Sequence, residues 1–220
     1  MTDLHRYEAM FDYLRDVPVP EKSAGLLVFG REDPAVAHAA GDLIMADLAE
    51  FTVITGGVGK DSGDLQGPEA EHLAGKLCTY LTRESVETGV LPKKTLIFTE
   101  TAATNGAENV NLSLDLMDET GLAYQPRLTT VAWAVSARRL HELAKHEADR
   151  RGTPIADLRG VATDTTFGEH ADNPKFLAEI VAEYQRFDKW PGKGWLRADA
   201  GADLDANLVD FANDMAAAHQ

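Results

Sequence analysis

Residues 99–109, with the sequence Thr-Glu-Thr-Ala-Ala-Thr-Asn-Gly-Ala-Glu-Asn, combine carboxylates, amides and hydroxyls in one short stretch. They follow an apolar run at 95–99 that predicts a buried strand, and they lead into a helical pattern. A strand-to-helix turn is where an α/β sheet presents polar groups to a ligand. Helix capping, with Thr104 or Asn105 as N-cap and Glu108 as capping-box partner, explains only part of the stretch, so we interpret the rest as ligand-facing. Its polar side chains are Glu100, Thr101, Thr104, Asn105, Glu108 and Asn109.

Alternating strand and helix patterns position this stretch. Apolar runs at 25–30, 51–55, 95–99 and 128–135, with a weaker one near 158–163, alternate with helical patterns. This alternation predicts an α/β fold, a Rossmann-like parallel sheet of about five strands with helices on both faces, plus an N-terminal helix and a C-terminal helical appendage. The predicted organisation is an N-terminal helix at 1–23, a Rossmann-like domain at 24–169 and a C-terminal helical extension at 170–220.

The turns that follow the predicted strands, at 30–33, 55–61, 100–109 and 136–139, are polar or rich in glycine. The carboxyl ends of parallel strands lie at one edge of a sheet, so we expect these turns to converge. Glycines let backbone N–H groups approach a ligand closely, and helix N-termini favour anionic groups. Familiar fingerprints are absent: no G-x-G-x-x-G follows the first strand, no G-x-S-x-G elbow exists, and Asp61 stands where a P-loop requires Ser or Thr.

Charged side chains of both signs fall on or near these turns. Uncompensated buried charge is costly, so the mixture indicates a ligand that itself carries both signs. S-adenosylmethionine fits, with its sulfonium, amine, carboxylate and ribose diol, and a phosphate ester with Mg²⁺ fits nearly as well. The remaining alternative is that these charges pair with one another at a solvated rim. They are Glu32, Asp33, Asp61, Glu69, Glu100 and Glu108, with Arg31, Lys60, Arg138 and Arg139.

The 220-residue chain has 21 Lys and Arg against 36 Asp and Glu, a formal net charge of −15. Proteins usually bind nucleic acids and anionic membranes through a basic patch. Because this chain is strongly acidic, we expect neither as a partner. No apolar run approaches the roughly 18 residues of a membrane span, and residues 1–7 lack a signal-peptide pattern, so we expect a cytoplasmic protein.

The histidines lack zinc-site spacing. Cys78 falls on the apolar side of a helical pattern with Leu73, Leu77 and Leu81, which predicts a buried thiol.

Five short motifs occur in series: Val28-Phe29-Gly30, Ile54-Thr55-Gly56-Gly57-Val58-Gly59, Pro68-Glu69-Ala70, Ala103-Thr104-Asn105-Gly106-Ala107-Glu108-Asn109 and Ser136-Ala137-Arg138-Arg139. The fourth, in which Thr104-Asn105 is followed by Glu108-Asn109, is the most specific of them. The series resembles the SanA/ElyC/YdcF family, and most closely its soluble YdcF branch, over roughly residues 24–165. The resemblance implies a ligand pocket at the strand carboxyl ends and S-adenosylmethionine binding. Many relatives have a histidine where this chain has residues 134–136, so no acid–base role is carried over.

These patterns assign roles to a set of candidate ligand-binding residues. We expect the glycines to offer backbone contacts, the asparagines to orient the ligand or the turn, and the arginines to hold a carboxylate or phosphate. Glu69 and Glu108 are expected to bind ribose hydroxyls or an amine. The full set is Gly30, Arg31, Gly56, Gly57, Gly59, Glu69, Thr104, Asn105, Glu108, Asn109, Ser136, Arg138 and Arg139.

The leading hypothesis is a protein that binds an adenosine-type small molecule, above all S-adenosylmethionine, with methyl transfer as the candidate reaction. One alternative is metal-assisted phosphoester or phosphoryl-transfer chemistry on a nucleotide or lipid-phosphate-like substrate, with Mg²⁺ held by carboxylates. Another is a non-catalytic ligand sensor whose Trp190–Trp195 loop reports occupancy. We expect the two C-terminal helices to pack on the sheet, to form a lid, or to meet a second copy in a homo-oligomer.

Overall fold

Five parallel strands form a single sheet in the computed structural model, which describes residues 3–20, 24–59, 65–122, 127–152 and 155–218. The predicted α/β architecture is confirmed, with a Rossmann-like parallel sheet, helices on both faces, an N-terminal helix and C-terminal helices. The strands are β1 (Gly25–Phe29), β2 (Phe51–Thr55), β3 (Leu96–Glu100), β4 (Arg127–Ala132) and β5 (Asp157–Ala162). The helices are α1 (Leu4–Arg15), α2 (Ala35–Met45), α3 (Glu69–Thr88), α4 (Gly106–Thr120), α5 (Ala137–Arg150), α6 (Pro174–Lys189) and α7 (Ala206–Ala218).

The strand order is β3-β2-β1-β4-β5, so β1 is the central strand. All five residues of β1 are buried, as its uninterrupted apolar run predicts. Leu26 pairs with Thr52 of β2 on one side and with Thr129 of β4 on the other. The order of the strands reverses between β1 and β4, and ligands of open α/β sheets bind outside the carboxyl ends of the strands at such a switch point.

Helices cover both faces of the sheet. α2 and α3 pack together on one face, and α4 and α5 pack together on the other. The strand-and-helix units alternate along the chain, which gives the crossovers that a parallel sheet requires. None of the helices in the described ranges has both the length and the apolar composition needed to cross a membrane.

The N-terminal and C-terminal helices share the hydrophobic core of the sheet. α1 contacts α5, α6 and α7, and its Phe11 ring lies 5.6 Å from the ring of Phe176 in α6. Tyr7 meets Phe211 of α7 edge-on, with ring centres 5.4 Å apart. Aromatic contacts of this kind add to the burial of apolar area, and they fix the C-terminal helices against the N-terminal one. The division of the chain at residues 23 and 169 stays a prediction.

The fourth strand is shorter than its sequence pattern predicts. It ends at Ala132 rather than at Val135, because the N–H of Ala134 donates to Thr163 Oγ1 over 3.1 Å instead of continuing a ladder. The N–H of Ser136 then donates to the carbonyl of Trp133 over 2.9 Å, which closes a turn. The Ser136 hydroxyl also bonds that carbonyl, at 3.3 Å, so the buried serine stabilises the turn and does not cap α5.

The prediction of a buried Cys78 is wrong. The thiol is exposed, whereas Leu73 and Leu77 of the same helix are buried. Cys78 follows Leu77 directly and therefore lies about 100° further round the helix than the apolar stripe.

Candidate functional site

The turns after β2 and β3 are bonded directly to each other. The Gly56 N–H donates to the carbonyl of Glu100 over 3.0 Å, and the Gly57 N–H donates to the carbonyl of Ala103 over 2.7 Å. A Cβ on Gly57 would lie 2.5 Å from the carbonyl oxygens of Ala103 and Thr101, so glycine is required here. Both N–H groups therefore donate within the protein, and the expectation that Gly56 and Gly57 offer backbone contacts to a ligand stays a prediction.

Glu69, the first residue of α3, lies against the turns after β1 and β2. Its N–H donates to the carbonyl of Gly57 over 3.1 Å, which docks the start of the helix on this edge. A Cβ on Gly30 would lie 2.7 Å from the Glu69 Cβ, and one on Gly56 would lie 2.9 Å from its Oε2. Gly56 also has a φ of +138°, a conformation that L side chains rarely adopt. These glycines therefore make room for the half-buried Glu69 side chain at the carboxyl edge of the sheet.

Glu100 binds the protein itself rather than facing outward. Its Oε1 accepts the N–H groups of Ala102 and Ala103 at 2.6 and 3.0 Å. Its Oε2 accepts the Thr55 hydroxyl at 2.6 Å, which ties β3 to the end of β2. The side chain is buried, and these three bonds compensate the cost of burying a carboxylate. The interpretation of Glu100 as ligand-facing is therefore corrected, and the residue holds the turn in shape.

The start of α4 is capped as the sequence pattern predicts. Asn105 Oδ1 accepts the N–H groups of Ala107 and Glu108, each at 3.1 Å. Glu108 Oε2 in turn accepts the N–H and the hydroxyl of Thr104, each at 2.8 Å. These bonds from Thr104 hold the pKa of the exposed Glu108 carboxyl below its usual range. Capping thus accounts for three of the polar groups in the stretch, and all three remain at the surface.

Asn109 differs from its neighbours because its side-chain amide oxygen is buried and has no hydrogen-bond partner among the described residues. Only 9% of the residue is exposed, and its Oδ1 has no hydrogen-bond partner in the described part of the chain. The Thr55 hydroxyl lies 3.2 Å from the Asn109 carbonyl, so the residue sits over the end of β2. A buried acceptor without a partner costs about 1–3 kcal/mol, and buried polar groups in native proteins are almost always bonded. The amide oxygen of Asn109 is therefore an acceptor at this edge that suits a hydrogen-bond donor of a ligand.

The predicted arginines all meet carboxylates of the C-terminal segment. Arg31, after β1, binds Glu179 of α6 through two bonds of 2.8 and 3.1 Å. Arg138 donates to Asp203 at 2.6 Å, and its guanidinium lies 3.8 Å from the centre of the Tyr13 ring. The contacts given for Arg138 are therefore with α1 and with the segment that precedes α7.

Arg139 lies closer to the candidate site but is also fully engaged. It binds Glu183 of α6 through bonds of 2.5 and 3.1 Å, and Arg186 binds the same carboxylate. Burial raises the pKa of Glu183, but the two guanidinium groups outweigh it and hold the pKa below its usual range. A Cβ on Gly106 would lie 2.7 Å from Arg139 Nη1, so this arginine packs on the start of α4.

The other predicted residues contribute less to the geometry. Asp33 Oδ1 accepts the N–H of Ala35 at 2.8 Å and so supports the start of α2. Gly59 is half-buried at the end of the described part of its loop, and Lys60 and Asp61 lie outside the described residues. Within the described ranges, no three His, Cys, Asp or Glu side chains are close enough together to hold a metal ion.

In comparisons with known proteins, no family model and no curated protein matches this chain. The candidate site is therefore defined by its own geometry. The structure brings the turns after β1, β2 and β3 together at one edge, with the side chains of Glu69, Asn105, Glu108 and Asn109 on them.

Three side chains at this edge were not among the candidate residues that the sequence predicts. Glu179 and Glu183 of α6 neutralise two of the arginines, and Trp133 lies under Arg31 with its ring centre 4.8 Å from the guanidinium. The two glutamates are four positions apart and so share a face of the helix, which a sequence pattern shows. Nothing in that pattern identifies their partners, because Arg31 is 148 residues away from Glu179.

Proposed function

We propose that the protein binds an adenosine-type small molecule, with S-adenosylmethionine as the first candidate, at the carboxyl ends of β1, β2 and β3. The observation that carries the proposal is the buried, unpartnered Oδ1 of Asn109 on this edge. Glu69 lies at the same edge, beside Gly30 and Gly56. An amide oxygen and a carboxylate both accept hydrogen bonds, so they suit a ligand that offers donors, such as a ribose diol or an amine.

The charges of the described residues favour a ligand with a positive or donor-rich part over a polyphosphate. Arg31, Arg138 and Arg139 are each paired with a carboxylate of the C-terminal segment. The positive ends of α3 and α4 already carry acidic residues in their first turns, among them Glu69 and Glu108. The carboxylates at this edge would attract a sulfonium or an amine, whereas they would repel phosphate groups.

The resemblance to the YdcF branch favours the same assignment, because it implies S-adenosylmethionine binding and rests on motifs that include Glu69 and Asn109. Glu69 would accept hydrogen bonds from the ribose or the amine, and Asn109 would accept one from a ligand donor. Asn105 and Glu108 hold the start of α4 in place beside them. S-adenosylmethionine, when bound, supplies an activated methyl group, and the contribution of the chain is to orient it toward an acceptor.

Isothermal titration of the full chain with S-adenosylmethionine tests the proposal. Glu69→Gln removes the carboxylate charge, and we expect it to weaken binding by about 10- to 100-fold, because a hydrogen bond to a charged group contributes about 1.5–3 kcal/mol. Glu71→Gln is the matched control, since it removes the same charge from the same first turn of α3 at an exposed position. We expect it to leave the affinity unchanged.

Two results would reject the proposal. One is the absence of binding by the unaltered chain at millimolar S-adenosylmethionine and S-adenosylhomocysteine. The other is binding of ATP with Mg²⁺ but not of the sulfonium compound, which would favour phosphoryl-transfer chemistry. Equal effects of Glu69→Gln and Glu71→Gln would show that the ligand senses overall charge rather than the Glu69 carboxylate.

A further inference from the structure

The two edges of the sheet differ in how they are protected. At the β5 edge, the Gly160 N–H donates to the carbonyl of Pro18 over 2.8 Å, and a Cβ on Gly160 would lie 2.7 Å from the Cβ of Val17. β5 also carries the charged residues Asp157 and Arg159. The chain therefore covers this edge and places charges on it, and both features keep an edge strand from pairing with another chain.

The β3 edge has neither protection among the described residues. β3 pairs with β2 alone, and the four residues Leu96 to Thr99 include no charged residue and no proline. The side chains of Leu96 and Ile97 are 49% and 37% exposed. Five of the nine large apolar side chains that are exposed in the described part of the chain fall between residues 86 and 97. An apolar edge strand of this kind is suited to pairing with another strand.

The backbone of β3 directs hydrogen-bonding groups to the open edge at alternate residues. The Leu96 N–H donates to the carbonyl of Glu50 over 3.2 Å, and the Glu100 carbonyl accepts the Gly56 N–H at 3.0 Å, so both residues point toward β2. Successive residues of a strand point their backbone groups to opposite sides. The N–H and C=O groups of Ile97 and Thr99 therefore point away from β2, and no loop or helix end in the described ranges bonds them.

We propose that β3 pairs with β3 of a second copy of this chain, antiparallel about a twofold axis at Ile97. In this register the Ile97 residues of the two copies exchange both of their backbone hydrogen bonds, and Thr99 lies opposite Thr95. Leu96 of each copy lies directly opposite Phe98 of the other. Aliphatic–aromatic and Thr–Thr pairs of this kind stabilise neighbouring antiparallel strands.

The pairing is self-complementary, which favours a second copy over a strand of another protein. Each apolar residue of β3 lies opposite an apolar residue, and the positively charged Lys94 lies opposite Glu100 of the second copy. A shift of the register by two residues would instead place Glu100 opposite Leu96. Contacts that use the same surface on both copies are the usual ones in homodimers. The pairing does not use Glu69 or Asn109, so it stands whether or not the proposed ligand is correct.

Sedimentation equilibrium of the full chain over a concentration series tests the proposal. We expect the mass of a dimer at about 100 micromolar chain. Ile97→Lys places two like charges opposite each other on the axis, and it should raise the dissociation constant of the dimer by about 100-fold or more. Val19→Lys is the matched control, because it adds the same charge at another exposed apolar residue, and it should leave the constant unchanged. Circular dichroism and thermal unfolding verify that both variants are folded.

Disulfide trapping tests the register without weakening the contact. In a Cys78→Ser background, which removes the exposed native thiol, Ile97→Cys should link two copies on oxidation. The Cα atoms of a hydrogen-bonded antiparallel pair are about 5.5 Å apart, which a disulfide can span. Thr99→Cys is the matched control, and it should not link, because the register places the two copies of residue 99 about 13 Å apart.

Three results would overturn the proposal. A chain that has the mass of a monomer at about 100 micromolar does not pair through β3. A dimer that is as stable in Ile97→Lys as in Val19→Lys uses another surface, such as the C-terminal helices. Cross-linking of Thr99→Cys to the same extent as Ile97→Cys would exclude the twofold register at Ile97.

Discussion

At the scale of single residues, the sequence predicts local bonding well and distant bonding poorly. The cap formed by Asn105 and Glu108 follows from a spacing of three residues, and the structure has it. Glu100 belongs to the same stretch, yet its partner Thr55 is 45 residues away and shows no trace in the local pattern. A carboxylate that holds a turn and one that faces a ligand look alike in sequence, because burial and partners distinguish them.

His141 is a residue whose chemistry only the structure reveals, and it makes stability depend on pH. It is buried in α5, where Nδ1 lies 3.4 Å from Thr130 Oγ1 and 3.3 Å from the carbonyl of Arg159. Burial lowers the pKa of His141 from its ordinary value of 6.5 to about 4. Between these two pH values the unfolded chain binds a proton that the folded chain does not. The free energy of unfolding therefore keeps its full value above about pH 6.5, as far as His141 determines it, and falls as the pH is lowered toward 4.

His141→Asn should flatten this part of the stability profile. Linkage assigns the histidine on the order of 3 kcal/mol across the pH range from about 6.5 to about 4, and that contribution disappears when the titrating ring is removed. Urea unfolding at intervals from pH 7.5 to pH 4.5 measures the difference between the variant and the unaltered chain. His5→Asn, at an exposed position in α1, should reproduce the unaltered profile. Parallel profiles for His141→Asn and the unaltered chain would contradict the assignment.

At the scale of elements, periodicity finds the helices but not where the C-terminal ones dock. The pattern that follows Asn173-Pro174 predicts a helix capped by Asn173, and Asn173 Oδ1 does accept the N–H groups of Lys175 and Phe176. α6 docks through an apolar face that includes Ile180 and Tyr184, and Arg31 after β1 and Arg139 in α5 bind its two glutamates. Such pairing between distant segments is set by the tertiary fold, so a single sequence cannot indicate it.

The two ion pairs of α6 should differ in their contributions to stability. Glu183→Ala removes a buried carboxylate and leaves the largely buried Arg139 and the half-buried Arg186 without their partner, and we expect a loss of about 3–5 kcal/mol in the free energy of unfolding. Glu179→Ala breaks a pair that is about one third exposed and should cost no more than about 1 kcal/mol. Guanidinium unfolding of the two variants at pH 7 gives the comparison. Losses of equal size would show that burial does not distinguish the two pairs.

At the scale of the whole molecule, the alternation of strands and helices is sufficient to predict the parallel sheet. The uninterrupted apolar run of β1 also predicts its central place, which the order β3-β2-β1-β4-β5 confirms. The gathering of the turns after β1, β2 and β3 follows from that topology. The topology does not predict which partner each polar group in these turns binds. The turns after β2 and β3 make several of their hydrogen bonds to each other, and the strand order does not specify those bonds.

Backbone amide signals of the ¹⁵N-labelled protein, followed as S-adenosylmethionine is added, show most directly where that ligand binds. A site at the carboxyl edge of the sheet predicts that the signals of Gly30, Gly56 and Thr101 move together and saturate, while that of Glu50, at the opposite edge beside the start of β2, stays in place. Signals that stay unchanged at millimolar ligand, or that move only near Trp195 in the C-terminal segment, would contradict a ligand site at this edge.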